Sequence, residues 1–343
     1  MESKINIGVI GCGIAANILH WPAIKSLHDN FTITAVCNHT EEKASQFAKL
    51  VGEEYSKDIP TYLDYKQLLA LDSVDAVAVI LPIEFNYEVC KAAAKAGKHI
   101  MVEKPIAVNL EEAKLLLELE KKFPDLVMMV AENFRYRPVY TALKKTIQDK
   151  LIGKPYYVEW KNWANVNPKD NQYAKTSWRI NHQYEGGFVT DGGVHNIAAL
   201  RDIFGDLELT GSSKVQVNPE IGRTDTLSYL FKSKGRDGIP PVSGLLQMFF
   251  SVKRKTSQSL IVLGSNGSLE VEDDTMTIFE GNDNFSITSE KFPDDGGYEN
   301  EYIDFYSAIS RNTAIKSSFF EAYCDFETIM HALKQAKQLE NPF

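Results

Sequence analysis

Over its first 130 positions the chain alternates continuous apolar runs with stretches in which apolar residues recur every three or four places. Ile5–Ile10, Phe31–Cys37, Asp75–Leu81, His99–Glu103 and Leu126–Ala131 are of the first kind, the pattern of strands covered on both faces of a parallel sheet. Between them the spacing predicts helices over Ile14–Leu27, Glu41–Val51, Tyr65–Leu71, Glu84–Ala96 and Asn109–Lys122. Thr40 and Asn109 stand as N-caps, and Gly97 closes the fourth helix. Such alternation predicts right-handed βαβ units in a doubly wound sheet.

The pattern changes after about Asn133. One helix is predicted over Val139–Lys150. Strand-like runs then follow at close spacing: Tyr156–Trp163, Leu207–Gln216, Thr226–Phe231, Ser243–Val252, Ser257–Val262, Ser268–Val271 and Thr275–Phe279. Gly264-Ser265-Asn266-Gly267 reads as a hairpin turn. Strands without intervening helices imply a mostly antiparallel sheet, completed by helices over about Asn300–Ser310 and Ser318–Glu340. The expected architecture is α/β: a Rossmann domain over residues 1–132, then an α+β domain over 133–343 for substrate binding and oligomerisation.

Composition narrows the function. The 343 residues are 44% hydrophobic and 24% charged, ordinary for a globular protein, and the net charge of −9 argues against a general nucleic-acid or anionic-membrane surface. No stretch approaches the roughly 20 apolar residues of a bilayer span. The four cysteines (Cys12, Cys37, Cys90, Cys324) are dispersed without a CxxC pair, which fits buried thiols in a reducing compartment, the cytoplasm. The seven histidines are scattered and form no metal-ligand spacing.

Three short motifs carry the chemistry. Gly11-x-Gly13-x-x-Ala16 follows a strand and opens a helix. Its glycines let the backbone turn sharply and approach a pyrophosphate at the helix N-terminus, where Ile14 and Ala15 also lie. A glycine turn with no ligand is the competing reading. Glu103-Lys104-Pro105 ends a predicted parallel strand, in the crevice where open α/β sheets bind ligands. A lysine there can polarise a carbonyl or bind a hydroxyl, with Glu103 orienting it. In Asp191-Gly192-Gly193-Val194-His195, a helix would put Asp191 and His195 on one face. His195 is then a candidate general acid/base, and Asp191 a group that binds a hydroxyl or tunes the imidazole. A capping Asp and a packed His remain the plainer alternative.

Together these motifs resemble the Gfo/Idh/MocA family, the oxidoreductases named for glucose-fructose oxidoreductase and inositol dehydrogenase. The resemblance is strongest over residues 5–138 and 176–205. It implies a pyridine-nucleotide enzyme that moves a hydride between nicotinamide and a sugar, polyol or related aldehyde or ketone, with Lys104 and His195 at the reacting oxygen. It also implies a homodimer or homotetramer associating through the C-terminal sheet. Against the family pattern, Asn38 stands where NAD enzymes usually carry Asp or Glu, with His39 beside it. An uncharged residue does not repel a 2′-phosphate, so NADP is favoured over NAD. Leu81 and Pro82 fall near the nicotinamide ribose, and Asn86 stands where a histidine is frequent. Glu103, Lys104, Trp178 and Arg179 complete the expected cofactor contacts. The segment Asn133–Pro138 also fits the family, and an interdomain ion pair is one expectation for Arg137. The same fold includes a non-catalytic regulator, the fungal galactose-pathway repressor; the joint presence of Lys104, Asp191 and His195 argues for an enzyme instead.

Overall fold

A computed structural model describes residues 4–176, 179, 184, 186–222, 224–281 and 286–339. The chain divides into two compact units. One comprises Met1–Asn133 with Tyr298–Tyr323, the other Phe134–Gly297 with Cys324–Phe343. A continuous division into 1–132 and 133–343 therefore misses one segment: Tyr298–Tyr323 returns to the first unit.

The first unit is built on six parallel strands: β1 (Ile5–Ile10), β2 (Phe31–Cys37), β3 (Thr61–Tyr62), β4 (Ala76–Val79), β5 (His99–Glu103) and β6 (Met128–Ala131). They lie in the order β3-β2-β1-β4-β5-β6. The order reverses between β1 and β4, which opens a crevice at the carboxyl ends of those strands. Five helices follow strands in this unit: α1 (Trp21–Ser26), α2 (Glu41–Tyr55), α3 (Tyr65–Leu69), α4 (Asn86–Lys95) and α5 (Leu110–Lys122). On α2, Ala44, Phe47, Ala48 and Val51 are buried, the one-sided stripe that helical spacing requires. Asn109 caps α5 by accepting the Glu112 N–H at 2.8 Å. Thr40 differs from expectation. It holds the extended N-cap backbone of α2 without a side-chain bond, and Glu41 and Glu42 meet the helix N-terminus instead.

The second unit carries α6 (Pro138–Gln148), β7 (Pro155–Trp163), α7 (Gly187–Phe204), β8 (Leu207–Val215), β9 (Thr226–Ser233), β10 (Ser243–Phe249), β11 (Ser257–Gly264), β12 (Gly267–Glu272), β13 (Thr275–Glu280) and β14 (Ser286–Lys291). Two helices follow, α8 (Tyr298–Arg311) in the first unit and α9 (Phe319–Gln335), in which the chain passes from the first unit to the second. A last short strand, β15 (Lys337–Gln338), ends the described chain. Nine strands form one sheet in the order β14-β13-β12-β11-β7-β10-β9-β8-β15, antiparallel except for the pairs β7/β10 and β8/β15. Gly264 pairs with Gly267 across the predicted hairpin turn. Strands β3, β14 and β15 escape the sequence pattern: two are two residues long, and β14 is exposed at every position. The predicted helix from Ser318 stops at Gln335, where β15 begins pairing with β8.

Arg135, from the segment Asn133–Pro138, is buried, and its Nη2 donates to both carboxylate oxygens of Asp325, at 2.8 and 2.6 Å. Arg201 joins the same carboxylate at 2.5 Å. This motif thus supports the second unit's core. Among the described residues no helix is long and apolar enough to cross a membrane.

Candidate active site

In the first unit the glycine turn continues β1. Gly11 has φ +103°, and a Cβ there would collide with the Ile80 carbonyl oxygen at the end of β4. Its N–H donates to Cys37 O at 2.8 Å, tying the turn to β2. Gly13 differs: a Cβ added there would have nothing within 4 Å. The backbone at Gly13 therefore faces open space, beside the start of a helix whose first residues lack a side-chain cap. Ile14 and Ala15 begin that helix, and Ala16–His20 form a π-helical segment before α1. Asn17 fastens the turn from the helix side, donating to Gly13 O at 2.7 Å. An open glycine turn at a helix N-terminus fits the pyrophosphate of a dinucleotide.

The end of β2 shapes this turn. Asn38 Oδ1 accepts the Cys12 N–H at 3.1 Å, and its amide donates to Thr40 O at 3.2 Å. Both ends of this buried amide have protein partners, so Asn38 acts first as a brace; His39 is the exposed side chain at that strand end. Burial pushes the Cys12 thiol up to about 12, aided by Cys37, and the Cys37 thiol up to about 11. Both thiols stay protonated and serve as small core residues.

Half-buried Leu81 and Pro82 end the next crossing. Asn86, at the start of α4, is 1% exposed and sends its amide to three carbonyl oxygens: Glu103 at 3.1 Å, Pro105 at 3.1 Å and Ile106 at 3.3 Å. Asn86, expected at the cofactor, clamps the Glu-Lys-Pro turn, whose Lys104–Pro105 bond is cis. Glu103 Oε2 accepts the Lys104 N–H at 3.1 Å, and Oε1 meets His20 Nε2 at 2.8 Å. Lys104 itself is half-buried.

In the second unit α7 carries the other motif. Gly193 packs where a Cβ would strike Met248 Sδ of β10, so the helix lies close on the sheet. Asp191 is buried, and Arg179 grips it: Nε to Oδ2 at 2.7 Å and Nη2 to Oδ1 at 3.4 Å. Arg179, expected at the cofactor, is thus engaged with Asp191, while its guanidinium stands 5.6 Å from the Tyr173 ring. Trp178 lies outside the described residues. His195 stacks on Phe134, with centroids 4.6 Å apart and planes at 20°. Arg137 caps the same aromatic ring at 5.1 Å and pairs with Asp274 at 2.6 Å, an ion pair inside the second unit rather than between domains. Trp160 is a core residue packed on Tyr140.

Sequence spacing missed Phe134 and the His20 network. His20 falls inside the predicted helix Ile14–Leu27, but its partners are 83 and 282 residues away.

Comparison with known proteins places these motifs. Residues 5–131 match the oxidoreductase family, NAD-binding Rossmann fold, and residues 140–270 match the GFO/IDH/MocA C-terminal domain. An uncharacterized protein of Saccharomyces cerevisiae is 30% identical over 319 residues, covering 90% of this chain and 88% of its own. An inositol 2-dehydrogenase/D-chiro-inositol 3-dehydrogenase of Lactiplantibacillus plantarum is 24% identical over 345 residues, 96% of this chain and 90% of its own. The crystal structure of an oxidoreductase from Thermotoga maritima superposes with a TM-score of 0.86 at 31% identity, covering 97% of each chain.

Proposed function

The chain belongs to the Gfo/Idh/MocA oxidoreductase family, and from that premise we propose that it moves a hydride between NADP(H) and a sugar, polyol or related aldehyde or ketone. The observation that carries this reading is Lys104 at the carboxyl end of β5, in a parallel sheet whose first strand ends in an open glycine turn. The relative that acts on inositol supports the polyol class.

Gly11, Gly13, Ile14 and Ala15 are assigned the pyrophosphate, with His39 at the adenosine ribose and Leu81 and Pro82 toward the nicotinamide. Bound there, the nicotinamide supplies hydride chemistry. The chain's own share is positioning and charge. Lys104 brings an ammonium to the reacting oxygen, stabilising negative charge as it develops there. His195 exchanges the hydroxyl proton, with its ring plane fixed by Phe134. Asp191 is oriented by Arg179 to bind a substrate hydroxyl.

The NADP preference is supported by the lack of a carboxylate at Asn38, by exposed His39 and by Lys43 one turn on. Glu41 and Glu42 in the same turn oppose it, and a titration reads the balance. Partner association is assigned to the outward face of the second sheet, where Leu230 is exposed and Trp163 stacks on Phe249. The four free cysteines suit work in the cytoplasm.

The test is titration with NADPH and NADH, followed by nucleotide fluorescence in wild type and Lys104→Met. NADPH binding retained in the variant, with turnover of a polyol and sugar panel down about 100-fold or more, is expected for loss of one preorganised charge. Tighter NADH would remove the NADP preference alone. Failure to bind either nucleotide would sink the oxidoreductase reading.

A further inference from the structure

One imidazole joins three distant parts of the first unit. His20 ends the π-helical segment after the glycine turn and is 1% exposed. Its Nε2 meets Glu103 Oε1 at 2.8 Å at the end of β5, and its Nδ1 meets Tyr302 Oη at 2.8 Å on α8. The other oxygen of Glu103 accepts the backbone N–H of Lys104 at 3.1 Å. The tyrosine ring stands edge-on to the imidazole, with centroids 5.9 Å apart, and packs edge-on against Phe31 as well.

Proton positions follow from burial. The Tyr302 phenol is pushed well up by burial, then by the neighbouring carboxyls of Glu301 and Glu103, so it keeps its hydrogen. A phenol that keeps its hydrogen can donate to Nδ1, which places a ring hydrogen on Nε2 to donate to Glu103. A directed chain results: phenol to imidazole, imidazole to carboxylate, with that carboxylate receiving the Lys104 N–H.

We propose that His20 is a positioning residue for Lys104: suspended between Tyr302 and Glu103, it aims the Glu103 carboxylate at the Lys104 backbone and so fixes where the lysine stands. Asn86 already holds the carbonyls of residues 103, 105 and 106. What that clamp leaves undetermined is the Lys104 N–H, and Glu103 engages it. The glycine turn and the lysine are thereby coupled, because the helix that opens at the turn ends its π segment on His20. The proposal rests on the reading that gives Lys104 a catalytic ammonium.

The experiment measures Lys104 directly, by acetylation with sulfosuccinimidyl acetate and peptide mass spectrometry, with exposed Lys49 as internal control. His20→Ala should change the Lys104 rate about threefold or more, the size expected for loss of an ordinary hydrogen bond, with Lys49 unchanged. Tyr302→Phe should move it in the same direction and less. His20→Gln should restore the wild-type rate, since an amide both donates and accepts. Circular dichroism confirms that each variant is folded. If nucleotide protects Lys104 in wild type while the rate stays at the wild-type value in folded His20→Ala and Tyr302→Phe, the proposal alone falls. If neither NADPH nor NADH protects Lys104, the catalytic reading falls and takes the proposal with it.

Discussion

The imidazole of His195 lies face to face with the ring of Phe134, centroids 4.6 Å apart and 20° from parallel. Two turns of sequence logic meet there, a helix motif ending in His195 and the entry segment that begins the second unit. Stacking of this kind fixes the plane of the imidazole. Such pairs are worth about 0.5–1.5 kcal/mol beyond area burial, so Phe134→Leu should lower kcat roughly 2- to 12-fold. NADPH affinity should stay unchanged, because the glycine turn is untouched. An unaltered kcat would remove Phe134 from any part in orienting His195.

Asn86 predicts a stability effect at a position whose residue type looked functional. One amide faces three carbonyl oxygens, at 3.1, 3.1 and 3.3 Å. Removing it leaves those acceptors buried and underbonded. Asn86→Ala should therefore cost about 1–3 kcal/mol in urea unfolding. Asn86→Asp should cost more, since it replaces a donor with a carboxylate facing three oxygens. Wild-type stability in both variants would show that the turn is held by other contacts.

Glu301 on α8 makes stability depend on pH. The carboxyl is fully buried with neither oxygen hydrogen-bonded, and burial, then Glu103 and Glu132, raises it well above its ordinary value. In the folded chain it keeps its proton. Above about pH 4.3 the unfolded chain releases that proton, so this group lowers stability as pH rises, by up to about 1.4 kcal/mol per unit until the folded value is reached. Glu301→Gln removes the titration and should flatten this slope. The variant should gain stability over wild type at pH 7, and the gain should vanish toward pH 4. Parallel stability-pH curves for the two proteins would show that Glu301 does not hold the proton.

Most of the first unit was legible because its strands are continuous apolar runs and its helices are one-sided. Ile5–Ile10, Phe31–Cys37 and His99–Glu103 lie where the pattern puts them. The Tyr298–Tyr323 segment was not legible as part of that unit. Periodicity reports that a helix has an apolar face, never which sheet the face meets. The same limit hid the work of Asn86, His20 and Arg179. Each is a polar residue with a plausible ligand in the sequence, and each engages a protein partner that only the fold brings near. Asn38 is the sharpest case, since a position read for its missing charge proves to brace the turn through its amide.

The two turn glycines should separate folding from binding. Gly11 sits at φ +103°, and a Cβ would meet the Ile80 carbonyl oxygen, so Gly11→Ala should lose stability and nucleotide binding together. Gly13 has nothing within 4 Å of an added Cβ. Gly13→Ala should therefore fold with stability within about 0.5 kcal/mol of wild type, as exposed substitutions do. Its nucleotide affinity should nevertheless fall about tenfold or more, because the second glycine of this motif leaves room for the backbone to approach a pyrophosphate. Thermal melts and fluorescence titration of the two variants read both quantities. A stable Gly13→Ala that binds NADPH and NADH as tightly as wild type would move the phosphate site away from this turn.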